Sequence, residues 1–226
     1  MPTKVLFSVA ALTLVAVPAA VAQKPAPKPP KQDAAVTLDA KPAIVVHGSS
    51  TTLSGRLAGG ATAGVTVRLE QDAARPYGDA YGPAGVTATT ASNGSYSFSV
   101  KPPLNTQYRV VAQASPGVTS APKLVVVRMR VGLTVSDSTP RRGSLVRFSG
   151  SVLPAHDGRL ALLQKRSSTG RFVTLARTTL RDAGDARSSY SRRLRVSSDG
   201  VFRVKVSGDA DHVNGFSRLR TLDAGG

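Results

Sequence analysis

One phrase occurs twice in this chain. HGSSTTLSGRL fills positions 47–57, and RGSLVRFSGSV fills positions 142–152. Gly48-Ser49 precedes Leu53-Ser54-Gly55 at the same spacing as Gly143-Ser144 precedes Phe148-Ser149-Gly150. A second landmark pair follows in the same order. SYSFSV, starting at Ser95, leads to YRV at Tyr108, and SYSRRL, starting at Ser189, leads to FRV at Phe202. Tyr96 and Tyr108 are as far apart as Tyr190 and Phe202. Between the landmarks, Val65/Val67 and Leu160/Leu162 are expected at equivalent strand positions. Two landmark pairs in one order make the chain a tandem duplication of a unit of about one hundred residues.

Inside each unit the apolar period is two. Val65, Val67 and Leu69 alternate with Thr66 and Arg68; Tyr96, Phe98 and Val100 with Ser97 and Ser99; Phe202, Val204 and Val206 with Arg203 and Lys205. Such alternation marks half-buried strands. Turn residues separate them, as in PYGDAYGPAG and SSDG. Beyond the N-terminal segment no stretch has a helical period. The expected fold is all-β: two tandem immunoglobulin-like β-sandwiches, residues 34–128 and 129–224, with about seven strands each. Strands are expected near 35–40, 51–57, 65–71, 86–91, 95–101, 107–114 and 123–127. In the second unit they fall near 131–136, 145–152, 159–165, 171–180, 187–196, 201–207 and 216–222. KLVVVRMRVGLTV carries the last strand of the first unit almost directly into the second. A junction this short and extended predicts a semi-rigid rod.

Residues 1–22 read as a cleaved signal peptide: Lys4 in the n-region, an apolar stretch over 5–17 too short to span a bilayer comfortably, and Ala20-Val21-Ala22 before Gln23. A membrane anchor or buried helix is the alternative. Residues 23–33 follow as a Pro/Lys-rich spacer that favours extended polyproline II. The expected location is secreted or extracellular, the mature chain being released or held at the envelope non-covalently, with no membrane span.

The stretch TTASNGSYSFSVKPPLNTQYRV resembles the second half of bacterial immunoglobulin-like and carboxypeptidase-regulatory-like sandwich modules, through Gly94, Tyr96, Phe98, Tyr108 and Val110. In the second unit the matching residues are Tyr190, Phe202 and Val204, with Ser188 in place of the Gly and Arg192 in place of the Phe. The resemblance implies spacers, stalks, carbohydrate-binding accessories or partner-binding units. It also suggests Tyr108 and Phe202 as core anchors, with a Tyr108 hydroxyl bonded to backbone as in a tyrosine corner.

Little here points to catalysis. Cys and Trp are absent, which removes disulfides, thiolate metal sites and Cys nucleophiles. His47, His156 and His212 each sit in a predicted turn without metal-ligand spacing. GDADH (208–212) offers Asp209, Asp211 and His212 but no complete Ca²⁺ loop, and reads as a solvated turn. Asn93, Asn105 and Asn214 fall in turns, and Glu70, the only glutamate, has no evident pair, so an isopeptide crosslink is rejected. No catalytic residue, metal site or cofactor is expected. The loop 72–85 offers Arg75, Tyr77, Asp79 and Tyr81 as carbohydrate contacts, against the plainer reading of tyrosines folded back on the sandwich.

The net charge is +17. Residues 129–226 hold 18 Lys and Arg against 8 Asp and Glu, while residues 33–128 hold 8 against 5. With Leu160, Leu162, Phe202, Val204 and Leu219 inward, alternation puts Arg159, Lys165, Arg203, Lys205, Arg218 and Arg220 on one outer face. This would be a basic stripe for an anionic polymer, without interleaved aromatics. The competing reading is a solvated face whose arginines reflect codon bias. The leading function is a non-catalytic scaffold of the bacterial envelope or exterior. Its partner would be an unknown protein or an anionic envelope polymer, with nucleic acid not a specific ligand. The alternative is a polyanion- or polysaccharide-binding accessory protein.

Overall fold

The computed structural model describes residues 33–225; the expected signal peptide and nearly all of the expected spacer lie outside them. The described residues contain strands and no helix, and so none long and apolar enough to cross a membrane. The first repeat forms β1 (Ala35–Val36), β2 (Asp39–Lys41), β3 (Ile44–Val46), β4 (Thr51–Ala58), β5 (Thr66–Asp72), β6 (Gly82–Thr89), β7 (Ser95–Val100), β8 (Thr106–Ala112) and β9 (Val118–Thr119). β10 (Lys123–Val131) joins the repeats. The second forms β11 (Thr134–Val135), β12 (Ser144–Leu153), β13 (Leu160–Arg166), β14 (Phe172–Thr179), β15 (Arg181–Asp182), β16 (Ser188–Val196), β17 (Gly200–Val206), β18 (Val213–Phe216) and β19 (Arg220–Leu222). In the first sandwich β4 pairs with β1, β2 and β7, and faces a sheet ordered β6-β5-β8-β10-β3. In the second, β11-β12-β16-β15 faces β14-β13-β17, whose far edge takes β18 and β19. The all-β, tandem immunoglobulin-like architecture is therefore as expected. β3 and β18 were not foreseen, and of the expected strand at 216–222 only its two ends are extended, Phe216 closing β18 and Arg220–Leu222 forming β19.

The repeated phrase has a steric reason. Gly55 stands opposite Tyr96, and Gly150 opposite Tyr190. The Tyr96 hydroxyl donates to Thr37 O, and the Tyr190 hydroxyl donates to Gly132 O at 2.5 Å. A Cβ on Gly55 would fall on Thr37 O, and one on Gly150 on Gly132 O. Each tyrosine thus satisfies a carbonyl in the link between two strands, β1–β2 or β10–β11, through the space that glycine leaves open. Burial pushes both hydroxyls up, Tyr96 to about 12. The tyrosine-to-backbone bond therefore belongs to Tyr96 and Tyr190, not to Tyr108. Tyr108 is buried as expected, 2% exposed.

The apolar residues form two clusters, one running from Val36 to Val127 and one from Met129 to Ala224. β10 feeds both. Its inward residues are Val125 and Val127, then Met129 and Val131. Consecutive inward positions of one strand so enter different cores. The β-branched run suits a pleated, half-buried strand. Its early residues pair antiparallel with β8 and parallel with β3. Its later residues pair with β12 and β18.

One register differs from expectation. Leu160 is 47% exposed, while Ala161 and Leu163 are buried. The segment LALL has apolar residues at both parities, so alternation cannot choose between them. Pairing with β17 does choose: Ala161 meets Val206 and Leu163 meets Val204.

Candidate interaction surfaces and the junction

The loop after β5 is organised by Asp72. Buried at the strand end, its carboxylate accepts from the backbone N–H of Gly78 at 2.6 Å, Ala74 at 3.0 Å and Ala80 at 3.3 Å. These donors, Gly78 foremost, outweigh burial and hold its pKa below the usual range. Tyr77 takes a positive φ of 60° next to Gly78, with the Arg75 guanidinium 5.9 Å from its ring centre. Arg75 and Asp79 are exposed. Tyr81 folds back: its hydroxyl donates to Gln107 Oε1 at 2.5 Å, and Arg109 stacks 3.9 Å above its ring. The four residues proposed as sugar contacts thus divide, with Tyr81 committed to the sheet. β6 begins at Gly82, which shortens the expected loop.

On that outer face Glu70 finds two partners. Arg109 Nε and Arg68 Nη2 each lie 2.8 Å from its carboxylate. The Arg109 hydrogen bond, opposed by burial and helped by Arg68, lowers its pKa.

The outer face of the second sandwich is aromatic as well as basic. Arg203 and Lys205 point outward, as expected. The Arg203 guanidinium lies 3.8 Å from the Phe172 ring centre and 4.6 Å from that of Phe216. Its Nε donates to Gln164 Oε1 at 2.9 Å. Arg166 stands 5.3 Å from Phe172, and Arg128 5.9 Å from Phe216. Burial, then Arg166, lowers the Arg203 pKa. The expectation of no interleaved aromatics is thus corrected: pairing sets Phe172 opposite Arg166 and Phe216 opposite Lys205.

The expected six-residue stripe does not assemble. Lys165 and Arg220 both pair with Phe202, so they share the parity of a core residue. Lys165 Nζ turns to Ser198, with bonds of 3.1 Å to its carbonyl and 2.7 Å to its hydroxyl. Arg220 Nε donates to Leu133 O at 3.2 Å. Leu219, expected inward, is 47% exposed, and Arg218 is exposed beside it. Arg159 lies at another end, donating to Gly208 O at 3.1 Å. The physical reasons are the one-residue register of β13 and the break between β18 and β19.

The junction holds what sequence spacing could not reveal. The loop 208–212, expected as a solvated turn, docks on the first sandwich. Asn105 N donates to Asp211 O at 2.8 Å, and Asn105 Nδ2 to Ala210 O at 3.2 Å. Asn105 Oδ1 accepts from Val127 N at 2.7 Å. One buried side chain ties the loop of the second sandwich to the shared strand. The three histidines, far apart in sequence, converge here. Their ring centres lie 5.2 Å apart for His156–His212 and 6.0 Å for His47–His212. Pro103 O faces His212 Nε2 at 3.0 Å and His47 Nδ1 at 3.1 Å. Burial, then His212 and Arg130, depress the His47 pKa against the opposing Pro103 bond. Arg130 Nη2 donates to His47 O at 2.8 Å and packs over Gly48, whose φ is +83°. A cleft of about 410 Å³ opens here between His47, Lys101, Pro103, Arg130 and Leu153.

No protein-family model and no curated protein matches the chain. Among solved structures it is similar to a marsupial T cell receptor, with 8% identity, a TM-score of 0.35, and coverage of 84% of this chain and 71% of the other. It is also similar to a tetra-tandem repeat in the extending region of a large adhesion protein, with 18% identity, a TM-score of 0.35 and 84% coverage; it spans 49% of that structure's length.

Proposed function

We propose that the chain is a non-catalytic, secreted two-module interaction scaffold of the cell envelope or exterior, its domains being residues 34–128 and 129–224. The observation that carries this reading is β10, which serves both sandwiches without a linker. Asn105 reinforces it by bonding the shared strand and the 208–212 loop together. A shared strand and a buried clamp suit a part whose task is to hold two surfaces at a set distance. Paired spin labels, one in β7 and one in β16, test this. A single narrow distance distribution is expected, and a broad one overturns the scaffold reading.

A second reading is favoured by the Phe172–Arg203–Phe216 stack: an anionic polymer held on the outer face of the second sandwich by Arg166, Arg203 and Lys205. Contacts of this kind weaken steeply with salt, and the rings add stacking partners. Retention of the chain on a polyphosphate or acidic-polysaccharide column should fall with salt, and fall further in Arg203→Ser/Lys205→Ser. Equal retention of the double variant removes this reading.

A further inference from the structure

We propose that His156, Asp209 and His212 form a binding site for a divalent first-row transition cation, zinc above all, beside the junction of the two sandwiches. The ligand atoms of the three side chains lie within 4.8 Å of one another. The strongest pointer is His212. Its ring is buried, its Nε2 faces Pro103 O at 3.0 Å, and its Nδ1 has no hydrogen-bond partner among the described residues. A carbonyl can only accept, so the proton sits on Nε2 and Nδ1 presents a lone pair. Buried polar atoms left without partners are rare in folded proteins. Asp209 Oδ1 stands 3.6 Å from this one, beyond hydrogen-bond reach.

His156 repeats the arrangement. Its Nδ1 lies 2.8 Å from Pro154 O, and its Nε2 lies 2.9 Å from Asp209 Oδ2. Both ring nitrogens therefore face acceptors. With the Nδ1 proton given to Pro154, a cation between Nε2 and the carboxylate resolves the remaining contact. Each histidine has its remote nitrogen oriented by a backbone carbonyl, the outer-shell device that fixes tautomer and ring direction at metal sites. The backbone N–H groups of His212 and Asp211 both donate to Asp209 Oδ1, at 2.7 and 2.9 Å. That leaves Oδ2 for a ligand.

The dimensions suit zinc. Bonds of about 2.0–2.2 Å at tetrahedral angles put ligand atoms roughly 3.3 Å apart. The 2.9 Å between His156 Nε2 and Asp209 Oδ2 lies just inside that value, and the three ligand atoms together stay within 4.8 Å. Two imidazoles and one carboxylate suit zinc, nickel or copper rather than calcium, which needs six to eight oxygens. Three protein ligands leave a fourth position for water or a group from a partner. The one opposing feature is Arg159, whose Nη2 stands 3.7 Å from Asp209 Oδ2. Its side chain is 44% exposed and has room to swing away. Because the 208–212 loop also bonds Asn105, an ion here would stiffen the joint as well.

The test uses the untagged chain, stripped with chelator and titrated with Zn²⁺ by calorimetry. One ion per chain is expected, with no heat from Mg²⁺ or Ca²⁺. His156→Ala or His212→Ala should weaken binding by about 100-fold or more, since even outer-shell losses cost 10- to 100-fold. Arg159→Ala should strengthen it, and His47→Ala should leave the stoichiometry unchanged. Ring-nitrogen NMR of the unmutated chain guards against variants that misfold: zinc should shift His212 Nδ1 and His156 Nε2 and leave both His47 nitrogens free of metal. Absence of zinc binding, unchanged affinity in a folded His212→Ala variant, or zinc on His47 instead would each overturn the site.

Discussion

Arg109 and Arg203 occupy equivalent places in the two sandwiches. Each follows the buried aromatic of its strand, Tyr108 or Phe202, and each stands opposite a polar residue on the neighbouring strand, Glu70 or Gln164. In the first sandwich the partner is a carboxylate, so Arg109 is neutralised and stacks on Tyr81. In the second it is an amide. Arg203 has no carboxylate partner among the described residues and is held between Phe172 and Phe216. One acid-for-amide difference separates a face closed by internal pairing from a face that keeps its charge. The cores differ in a compensating way. Leu53 faces Phe98 in the first and Phe148 faces Arg192 in the second. The aromatic has moved across the pair: Phe98 packs on Tyr96 at 5.8 Å, while Phe148 packs on Phe202 at 5.3 Å. The sandwich therefore tolerates exchange of core volume between adjacent strands but keeps the tyrosine–glycine pair.

The largest expected effect tests that shared device. Gly55→Ala and Gly150→Ala should each cost about 3–5 kcal/mol, because a forced Cβ displaces the Thr37 or Gly132 carbonyl and breaks a buried hydrogen bond. Denaturant unfolding measures it, and a loss in only one sandwich would break the equivalence. Next comes the clamp. Asn105→Ala should cost about 2 kcal/mol through the unsatisfied Val127 N–H and Ala210 carbonyl, and should separate the melting of the two sandwiches in calorimetry. The outer faces come third. Arg203→Ala should destabilise by about 1–2 kcal/mol through two lost cation–π contacts; a loss much smaller than that of Arg109→Ala would reverse the contrast drawn above.

The smallest effect converts one face into the other. Glu70→Gln should cost about 1 kcal/mol or less at neutral pH, since both arginine partners are partly exposed and screened. The sign with pH follows from the lowered carboxyl pKa in the folded state. The Glu70 contribution is complete above the unfolded value of about 4.3 and disappears as pH falls through the folded value. The melting temperatures of the two proteins should begin to converge below about pH 4.3 and meet only below the folded value. A gap that persists there would mean that Glu70 acts through packing rather than charge.

Period-two alternation and the duplicated phrase were enough to place nearly every long strand, because strands buried on one face must alternate and a repeated unit must fold alike. Arg203 and Lys205 were legible as outward for the same reason, since Phe202, Val204 and Val206 leave only one choice of face. LALL offered two, and β17 decided. Leu219 misled because β18 and β19 divide what alternation reads as one strand. The pairing of Glu70 with Arg68 and Arg109, and the stack of Arg203 between Phe172 and Phe216, depend on which strands become neighbours. Spacing along the chain does not encode that.

The sequence by itself determined a Cys-free, all-β tandem repeat with most of its charge in the second half, and a junction too short to swing freely. Composition and local periodicity act within a few residues, so they are readable in one dimension. Only the tertiary structure brought His47, His156 and His212 together and set Asn105 against the 208–212 loop. These groups come from separate turns of both repeats, and turns carry no periodicity to predict from. Their meeting is decided by β10, which crosses from one core to the other and thereby places the loop ends of the two sandwiches against each other.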